Sequence, residues 1–247
     1  MSIIRPWSDE QTGTLVTPWT NFGKEARIVT LFGNIMSSTD VQTIATDSIP
    51  FLAEELFASL MWLATENNDP VHIVINNNGG SIRAGFMIIQ AIEHLQAMGI
   101  EVIGLDIGSS MSMATTVLAV CTKRFALRRS VIHVHPPSFG SPQMTDAVKE
   151  KVDEYQNRLK DELYSLLAQK TRIPEYCVQT EEVRTDDPNW ATIAEKRYKY
   201  TKKFLEHERF LTPQQAKDAG IIDDELEAGD ERMSKIFGLI GHKGGSL

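Results

Sequence analysis

The sequence predicts a mixed α/β fold in which strands and helices alternate along the chain. Apolar, strand-like runs recur at intervals, and most are followed by a segment with the three-to-four-residue apolar spacing of a helix. This alternation is typical of right-handed β-α-β units, in which helices cover a mainly parallel sheet. The predicted strands are residues 26–32, 71–76, 102–107 and 131–135, and the predicted helices between them are residues 49–66, 82–97 and 112–120.

Length and composition fit a globular enzyme subunit and exclude several other classes. The chain has 247 residues, 42% of them hydrophobic and 23% charged, with a net charge of −8. An acidic chain without a basic stripe is unsuited to nucleic acid or to an anionic membrane surface. The sequence has neither a membrane-spanning apolar run nor the apolar core of a signal peptide, and its two cysteines have no partner at metal-ligand spacing, so we expect a cytoplasmic protein.

Residues 108–114, GSSMSMA, join a predicted strand to a predicted helix. Small residues on both sides of Ser112 allow a sharp turn, which would project its hydroxyl at a helix N-terminus, where unpaired N–H groups favour developing negative charge. Serine is also a common helix N-cap. This segment alone therefore leaves both a nucleophile and a plain cap open.

Two further segments carry candidate chemistry. Gly79-Gly80 follows a predicted strand and permits the positive φ and close backbone approach that a backbone oxyanion hole requires. His135 ends another predicted strand, just before two prolines, where it can be held rigidly against a nucleophile. His133 lies on the same face of that strand, so a His-x-His metal pair is an alternative, although no third ligand is near in sequence.

The longest helical pattern covers residues 145–171. An apolar stripe runs along it at Tyr155, Leu159, Leu163 and Leu166. A helix of this length exceeds what one small core can cover, so we expect it to project and to pack against another subunit. A shorter helix is predicted at residues 213–219, with Thr212 as N-cap and Gly220 as its stop.

Four segments together resemble the Clp protease proteolytic subunit family over roughly residues 25–225. They are Gly79-Gly80-Ser81, the Ser112-Met113 turn, residues 124–137 with His135 among them, and FLTPQQAKDAGIID at residues 210–223. The resemblance implies an α/β fold of the Clp protease and crotonase type, a β-α-β spiral with a protruding handle helix at residues 145–171. It also implies a single domain over residues 1–247, with the core at 25–225, an insertion at about 176–205 and a short tail at 226–247.

Residue by residue, the resemblance implies a serine endopeptidase site. Ser112 becomes the nucleophile and His135 the general base, while the backbone N–H groups of Gly80 and Met113 form the oxyanion hole. The third member of the triad falls on Glu208, where the family has aspartate. No metal or cofactor is implied. The implied partners are an AAA+ Clp ATPase, unfolded protein substrates, and further subunits in a double ring of fourteen, of one kind or mixed.

Three departures from the family bear on activity. Glu208 is longer than aspartate by one methylene, which moves its carboxylate by about one C–C bond length. Asn77-Asn78 replace the usual Ser-Pro before the glycine pair. The insertion adds an acidic turn at Asp186-Asp187, either of which is an alternative third carboxylate, followed by a predicted helix at about residues 191–207.

Two other functions remain open from sequence. The chain could be a catalytically weak or silent paralogue within a mixed ring, because of Glu208 and the adjacent insertion. More distantly, it could be a crotonase-like acyl-CoA enzyme, since that superfamily shares this spiral and a backbone oxyanion hole but needs no serine nucleophile.

Overall fold

The structure is a computed structural model that describes residues 7–8, 15–16, 26–38, 51–139 and 146–237. Within these residues the strands are β1 Trp7–Ser8, β2 Leu15–Val16, β3 Ile28–Met36, β4 Phe51–Leu52, β5 Val71–Gly80, β6 Val102–Met111, β7 Lys123–Leu127, β8 Val131–Val134, β9 Arg209–Leu211 and β10 Asp224–Leu226. The helices are α1 Ala53–Glu66, α2 Ile82–Ala97, α3 Met113–Val120, α4 Asp146–Lys170, α5 Ile173–Gln179, α6 Ala194–Phe204, α7 Pro213–Asp218 and α8 Glu231–Ile236, with a 3₁₀ turn at Trp190–Thr192.

The main sheet of the described residues is almost entirely parallel. Its strand order is β10-β7-β6-β5-β3-β4, and β8 also pairs with the end of β6. Strand β9 runs antiparallel to β8. Helices connect the parallel strands, so the α/β prediction is confirmed.

Two predicted strands are longer in the structure than the sequence indicated. β5 continues through the asparagines to Gly80, and β6 continues through residues 108–111. The pairing of these two strands changes register near their ends, between Ile75 and Asn77 on β5. Polar and small residues, which suggested turns, are therefore accommodated in an irregular sheet end, where β8 replaces β7 as the partner of β6.

Side chains alternate between two apolar layers. The larger layer lies under α1, α2 and α3, and its fully buried members include Leu31, Ile73 and Val102. The smaller layer lies on the other face of β6, β7 and β10 and is closed by α8, through Ile103, Phe125 and Ile236 among others. This second layer extends the fold into the region predicted as a C-terminal tail. The last residues of that tail, 241–247, lie outside the described residues.

Helix α4 is the predicted long helix. At about 1.5 Å per residue, its 25 residues span roughly 37 Å. Leu159 and Leu163 of the predicted stripe are buried and Leu166 is partly buried, whereas Tyr155 and, earlier in the helix, Val148 are exposed. The stripe is thus covered in the second half of the helix and open in the first, and the sequence correctly predicts a helix too long for its own core.

The insertion is folded against α4 and α5. Arg197 of α6 donates hydrogen bonds to the carbonyl oxygens of Ala168 (2.7 Å) and Thr171 (3.0 Å) and forms an ion pair with Glu175. Tyr198 hydrogen-bonds Asp161 at 2.5 Å. The predicted helix at 191–207 is therefore present, but it is divided into the 3₁₀ turn and α6.

The structure also describes a helix cap, the two cysteines and the character of the helices. The predicted N-cap Thr212 forms a full capping box with Gln215 at the start of α7. Cys121 and Cys177 are free and buried, and burial raises the pKa of each thiol to about 12. Across the described part of the chain, no helix combines the length and the apolar character that crossing a membrane requires.

Candidate active site

Ser112 occupies a strained turn between β6 and α3. Its φ of 53° and ψ of −121° are unusual for a residue other than glycine. The turn is fixed because the Ser112 backbone N–H donates to the His133 carbonyl oxygen at 2.8 Å. The buried Thr115 hydroxyl bonds that same oxygen (2.9 Å) and the Ser110 carbonyl oxygen (2.7 Å). Such a turn projects a side chain out of the sheet end.

The side chain of Ser112 does not cap helix α3. Its Oγ lies 2.8 Å from Nε2 of His135, and within the described residues it makes no side-chain capping bond. The structure thus separates the two sequence interpretations of this serine: it occupies the cap position, but its hydroxyl pairs with an imidazole. That pairing is the geometry by which a base activates a serine nucleophile.

The glycine pair reaches the serine turn from β5. Gly79 and Gly80 have φ values of 87° and 145°. A Cβ at Gly79 would lie 2.6 Å from the Cβ of Ser112 and 3.1 Å from the backbone nitrogen of Met113. Only glycine allows this approach, which packs the end of β5 against the first N–H of helix α3.

Four of the five predicted site residues line one pocket. Gly80, Ser112, Met113 and His135 surround a cavity of about 70 Å³. Leu163 and Leu167 of α4 and Leu205, the residue after α6, form part of its apolar wall. The handle helix and the insertion therefore both contribute to the surroundings of the serine.

Glu208, the fifth predicted residue, contacts a different histidine. Its Oε1 lies 2.9 Å from Nε2 of His133, and among the described residues it makes no hydrogen bond to His135. The β8–β9 register pairs Phe210 with His133 and Arg209 with Val134. If the β8–β9 pairing is continued by one residue, the backbone of Glu208 lies opposite that of His135. The long side chain of Glu208 nevertheless extends diagonally and contacts His133.

His133 is the site residue that sequence reasoning interpreted differently. It is only 8% exposed, and its ring stacks on His135 with centroids 5.1 Å apart and on Phe210 with centroids 4.3 Å apart. No cluster of three or more metal-binding side chains occurs in the part of the chain that the structure describes. The one signal available in sequence was the two-residue spacing of the histidines, which places both on one strand face.

The acidic turn at Asp186-Asp187 makes its contacts within the insertion, through Asp187. Asp187 forms an ion pair with Lys196 and accepts a hydrogen bond from the Asn189 backbone at 2.9 Å. A different insertion residue, Glu182, holds Arg209, the neighbour of Glu208, through two hydrogen bonds of 3.0 and 2.7 Å. The insertion thus holds the first residue of β9, which directly follows Glu208.

One buried acid lies beneath the serine loop. Asp106 on β6 accepts a hydrogen bond from the Gly108 backbone at 2.9 Å, while its Oδ2 has no hydrogen-bond partner among the described residues. Burial raises the pKa of this carboxyl to about 6, although the hydrogen bond from the Gly108 backbone opposes the rise.

Comparison with known proteins gives a consistent family result. The family model described as Clp protease matches residues 23–228. A relative named ATP-dependent Clp protease proteolytic subunit, from Oltmannsiellopsis viridis, is 28% identical over 175 residues, which cover 70% of this chain and 76% of the relative. The residues that the family model matches include β3 to β10, the serine turn and the whole insertion. The chain belongs to the Clp protease family.

Proposed function

We propose that this chain is a serine endopeptidase, the proteolytic subunit of an ATP-dependent Clp protease that degrades unfolded proteins to peptides. The 2.8 Å separation between Ser112 Oγ and His135 Nε2, at a strained turn that opens a helix, carries the proposal. Family membership supports the same peptidase class.

The mechanism follows from this geometry. Nε2 of His135 takes the proton of the Ser112 hydroxyl as Oγ bonds to the substrate carbonyl carbon. The oxyanion that forms accepts hydrogen bonds from the N–H groups of Gly80 and Met113. The peptide C–N bond then breaks as His135 returns the proton to the leaving amine, and water, activated by the same imidazole, releases the acyl group from Ser112.

Two features support the proposed oxyanion donors. Met113 is the first residue of α3, so its N–H has no acceptor within the helix. Both proposed donors border the cavity that contains Ser112 and His135. We assign Glu208 as the carboxylate of the site.

Assembly and partners follow from the family. We propose that the chain functions in the cytoplasm, in a double ring of identical or mixed subunits fed by an AAA+ Clp ATPase. The printed name of the relative, an ATP-dependent proteolytic subunit, supports a partner that supplies ATP hydrolysis.

A second candidate is a catalytically weak subunit within a mixed ring. It is favoured by one observation: among the described residues, the His135 ring has a hydrogen bond to Ser112 but none to a carboxylate. The acyl-CoA alternative depended on a shared type of fold and a shared backbone oxyanion hole, and the family match favours the peptidase.

A fluorophosphonate probe distinguishes these candidates. We expect stoichiometric labelling of the purified protein at Ser112 by peptide mapping, lost in Ser112→Ala and retained in the neighbouring control Ser109→Ala. An assembled ring that cleaves a fluorogenic peptide at the same rate with Ser112→Ala would contradict the proposal. An assembled ring without labelling would favour the weak subunit.

A further inference from the structure

Three aromatic rings are stacked beside Ser112. The buried ring of His133 lies between His135 and Phe210, and the interplanar angles are 14° and 15°. Phe210 is the outer ring, with 62% of its surface exposed. The antiparallel pairing of His133 with Phe210 fixes the two backbones opposite each other.

Glu208 fixes the middle ring. Its hydrogen bond to Nε2 of His133 favours the tautomer in which that nitrogen carries the proton and donates to the carboxylate. His133 also holds the serine turn through its backbone, because its carbonyl oxygen accepts from the Ser112 N–H. One residue therefore contacts the nucleophile turn, the imidazole of His135 and the carboxylate.

The orientation of His135 needs a support other than a direct carboxylate. A serine-activating imidazole normally takes its orientation from a third group. Among the described residues, the hydrogen bond of the His135 ring goes to Ser112, and its remaining ring contact is the stack on His133. Stacking against a fixed ring restricts rotation of the His135 ring out of its own plane.

We infer that His133 is a positioning residue, and that Glu208 acts on His135 through it. The ring of His133, fixed by Glu208 and Phe210, keeps His135 in the plane from which Nε2 reaches Ser112 Oγ. This inference depends on the proposed peptidase function.

Two variants of His133 separate its ring from its hydrogen bond. His133→Phe keeps an aromatic ring in the stack but removes the donor to Glu208, whereas His133→Gln keeps an Nε2 donor but removes the ring. We expect both variants to lower kcat with KM within about 2-fold: His133→Phe by about 3- to 5-fold, because the bond to Glu208 is lost, and His133→Gln by about 10-fold or more, because the ring is lost. Circular dichroism and the assembly state of each variant identify any loss caused by misfolding.

A double-mutant cycle tests the path from Glu208. We expect Glu208→Gln to lower kcat in the parent protein but to have less than about a 2-fold effect in the His133→Phe background, because no donor remains there for the carboxylate to fix. An equal loss in both backgrounds would mean that Glu208 acts on His135 directly and would overturn the inference. Equal kcat for His133→Phe and His133→Gln would overturn it as well.

The rate of fluorophosphonate labelling at Ser112 distinguishes a failure of the positioning role from a failure of the proposed peptidase function. If Ser112 is labelled at a rate that no substitution at His133 or Glu208 changes, the peptidase proposal stands and the positioning role fails. If Ser112 is not labelled in the assembled parent protein, both fail, and the failure is identified before any His133 variant is compared.

Discussion

Gly79 lies directly against Ser112. A Cβ at position 79 would be 2.6 Å from the Ser112 Cβ and 2.5 Å from the Met111 carbonyl oxygen, both much closer than van der Waals contact. The nucleophile turn and the β5 end are therefore packed with no room for a methyl group. Because Gly79 also has a positive φ of 87°, the backbone and the packing impose glycine independently.

Gly79→Ala is expected to displace the serine turn. We expect fluorophosphonate labelling of Ser112 to fall by about 100-fold or more, since a shift of about 1 Å at a nucleophile can have this effect. Gly99→Ala is the matched control, because Gly99 has a similar φ of 81° but, within the described residues, nothing lies within 4 Å of the position that its Cβ would take. Gly99→Ala should lower the free energy of unfolding by about 1 kcal/mol through backbone strain alone and leave labelling unchanged. Similar labelling rates in the two variants would refute the packing argument.

Thr115 supports the serine turn through two hydrogen bonds, so its replacement by valine should weaken the turn. Thr115→Val keeps the shape of the buried side chain but leaves the Ser110 and His133 carbonyl oxygens without this donor. We expect the free energy of unfolding to fall by about 1–2 kcal/mol, measured by urea unfolding, and Ser112 acylation to slow.

Thr201→Val provides the comparison for Thr115→Val. Thr201 is also fully buried, but its hydroxyl oxygen has no hydrogen-bond partner in the described part of the chain. Replacing this hydroxyl by a methyl group removes an uncompensated polar burial, so stability should rise or stay the same. A larger loss at Thr201 than at Thr115 would contradict the assignment of these bonds.

Asp106 should make stability depend on pH. Its pKa of about 6 in the folded protein exceeds the ordinary value of 3.8, so between these pH values the folded chain binds more protons than the unfolded chain. The free energy of unfolding therefore falls as the pH rises from about 4 to about 6, and it remains lower above that range.

Asp106→Asn should remove the fall in the free energy of unfolding with rising pH, because the amide stays neutral and its oxygen can still accept a hydrogen bond from Gly108. At pH 7.5 we expect the variant to be more stable than the parent by about 1–3 kcal/mol, and at pH 4 to differ little. Urea unfolding at both pH values measures this, with the exposed Asp153→Asn as a control for removal of a surface charge. Equal stabilisation at both pH values would show that charge burial is not the cause.

The alternation of strands and helices was predictable because each buried element carries its own apolar period. The ends of β5 and β6 were not, since residues 76–80 and 108–111 have turn-like composition and are held as strand only by their neighbours. The same limit applies to the site. Ser112 and His135 could be selected because four separate segments together resemble the Clp protease family, whereas the Ser112 segment alone left a nucleophile and a helix cap open.

The partner of Glu208 could not be selected in that way. His133 and Glu208 are 75 residues apart in sequence, and their contact depends on the register of the three-residue strand β9. His133 and His135 lie on the same strand face, and no local sequence pattern determines which of them the Glu208 side chain contacts. The aromatic stack likewise requires Phe210, whose position becomes known only when β9 is paired with β8.

Glu182 links the insertion to strand β9. A substitution at Glu182 should therefore alter activity at the candidate site, although Glu182 lies outside it. Both its carboxylate oxygens bond the Arg209 guanidinium, which also donates to the Phe204 carbonyl oxygen at 2.9 Å and covers the Phe204 ring. Both charged groups are about three-quarters buried. Glu182→Gln keeps the shape but removes the charge that holds Arg209 in place. We expect the free energy of unfolding to fall by about 1–2 kcal/mol and kcat to fall several-fold, because Arg209 precedes Phe210 and follows Glu208.

Glu181→Gln is the control for this effect. Glu181 is the adjacent acid, but it is 80% exposed and its pair with Arg184, at 3.8 Å, is solvent-screened. Urea unfolding and peptide hydrolysis of the two variants, assayed as assembled protein, separate a specific clamp from a general effect of charge. If Glu182→Gln destabilises the protein without changing kcat, the insertion supports the fold alone. If kcat falls as expected while Glu181→Gln matches the parent, the insertion sets the position of β9, which carries Phe210 and directly follows Glu208, and with it the stack against His135.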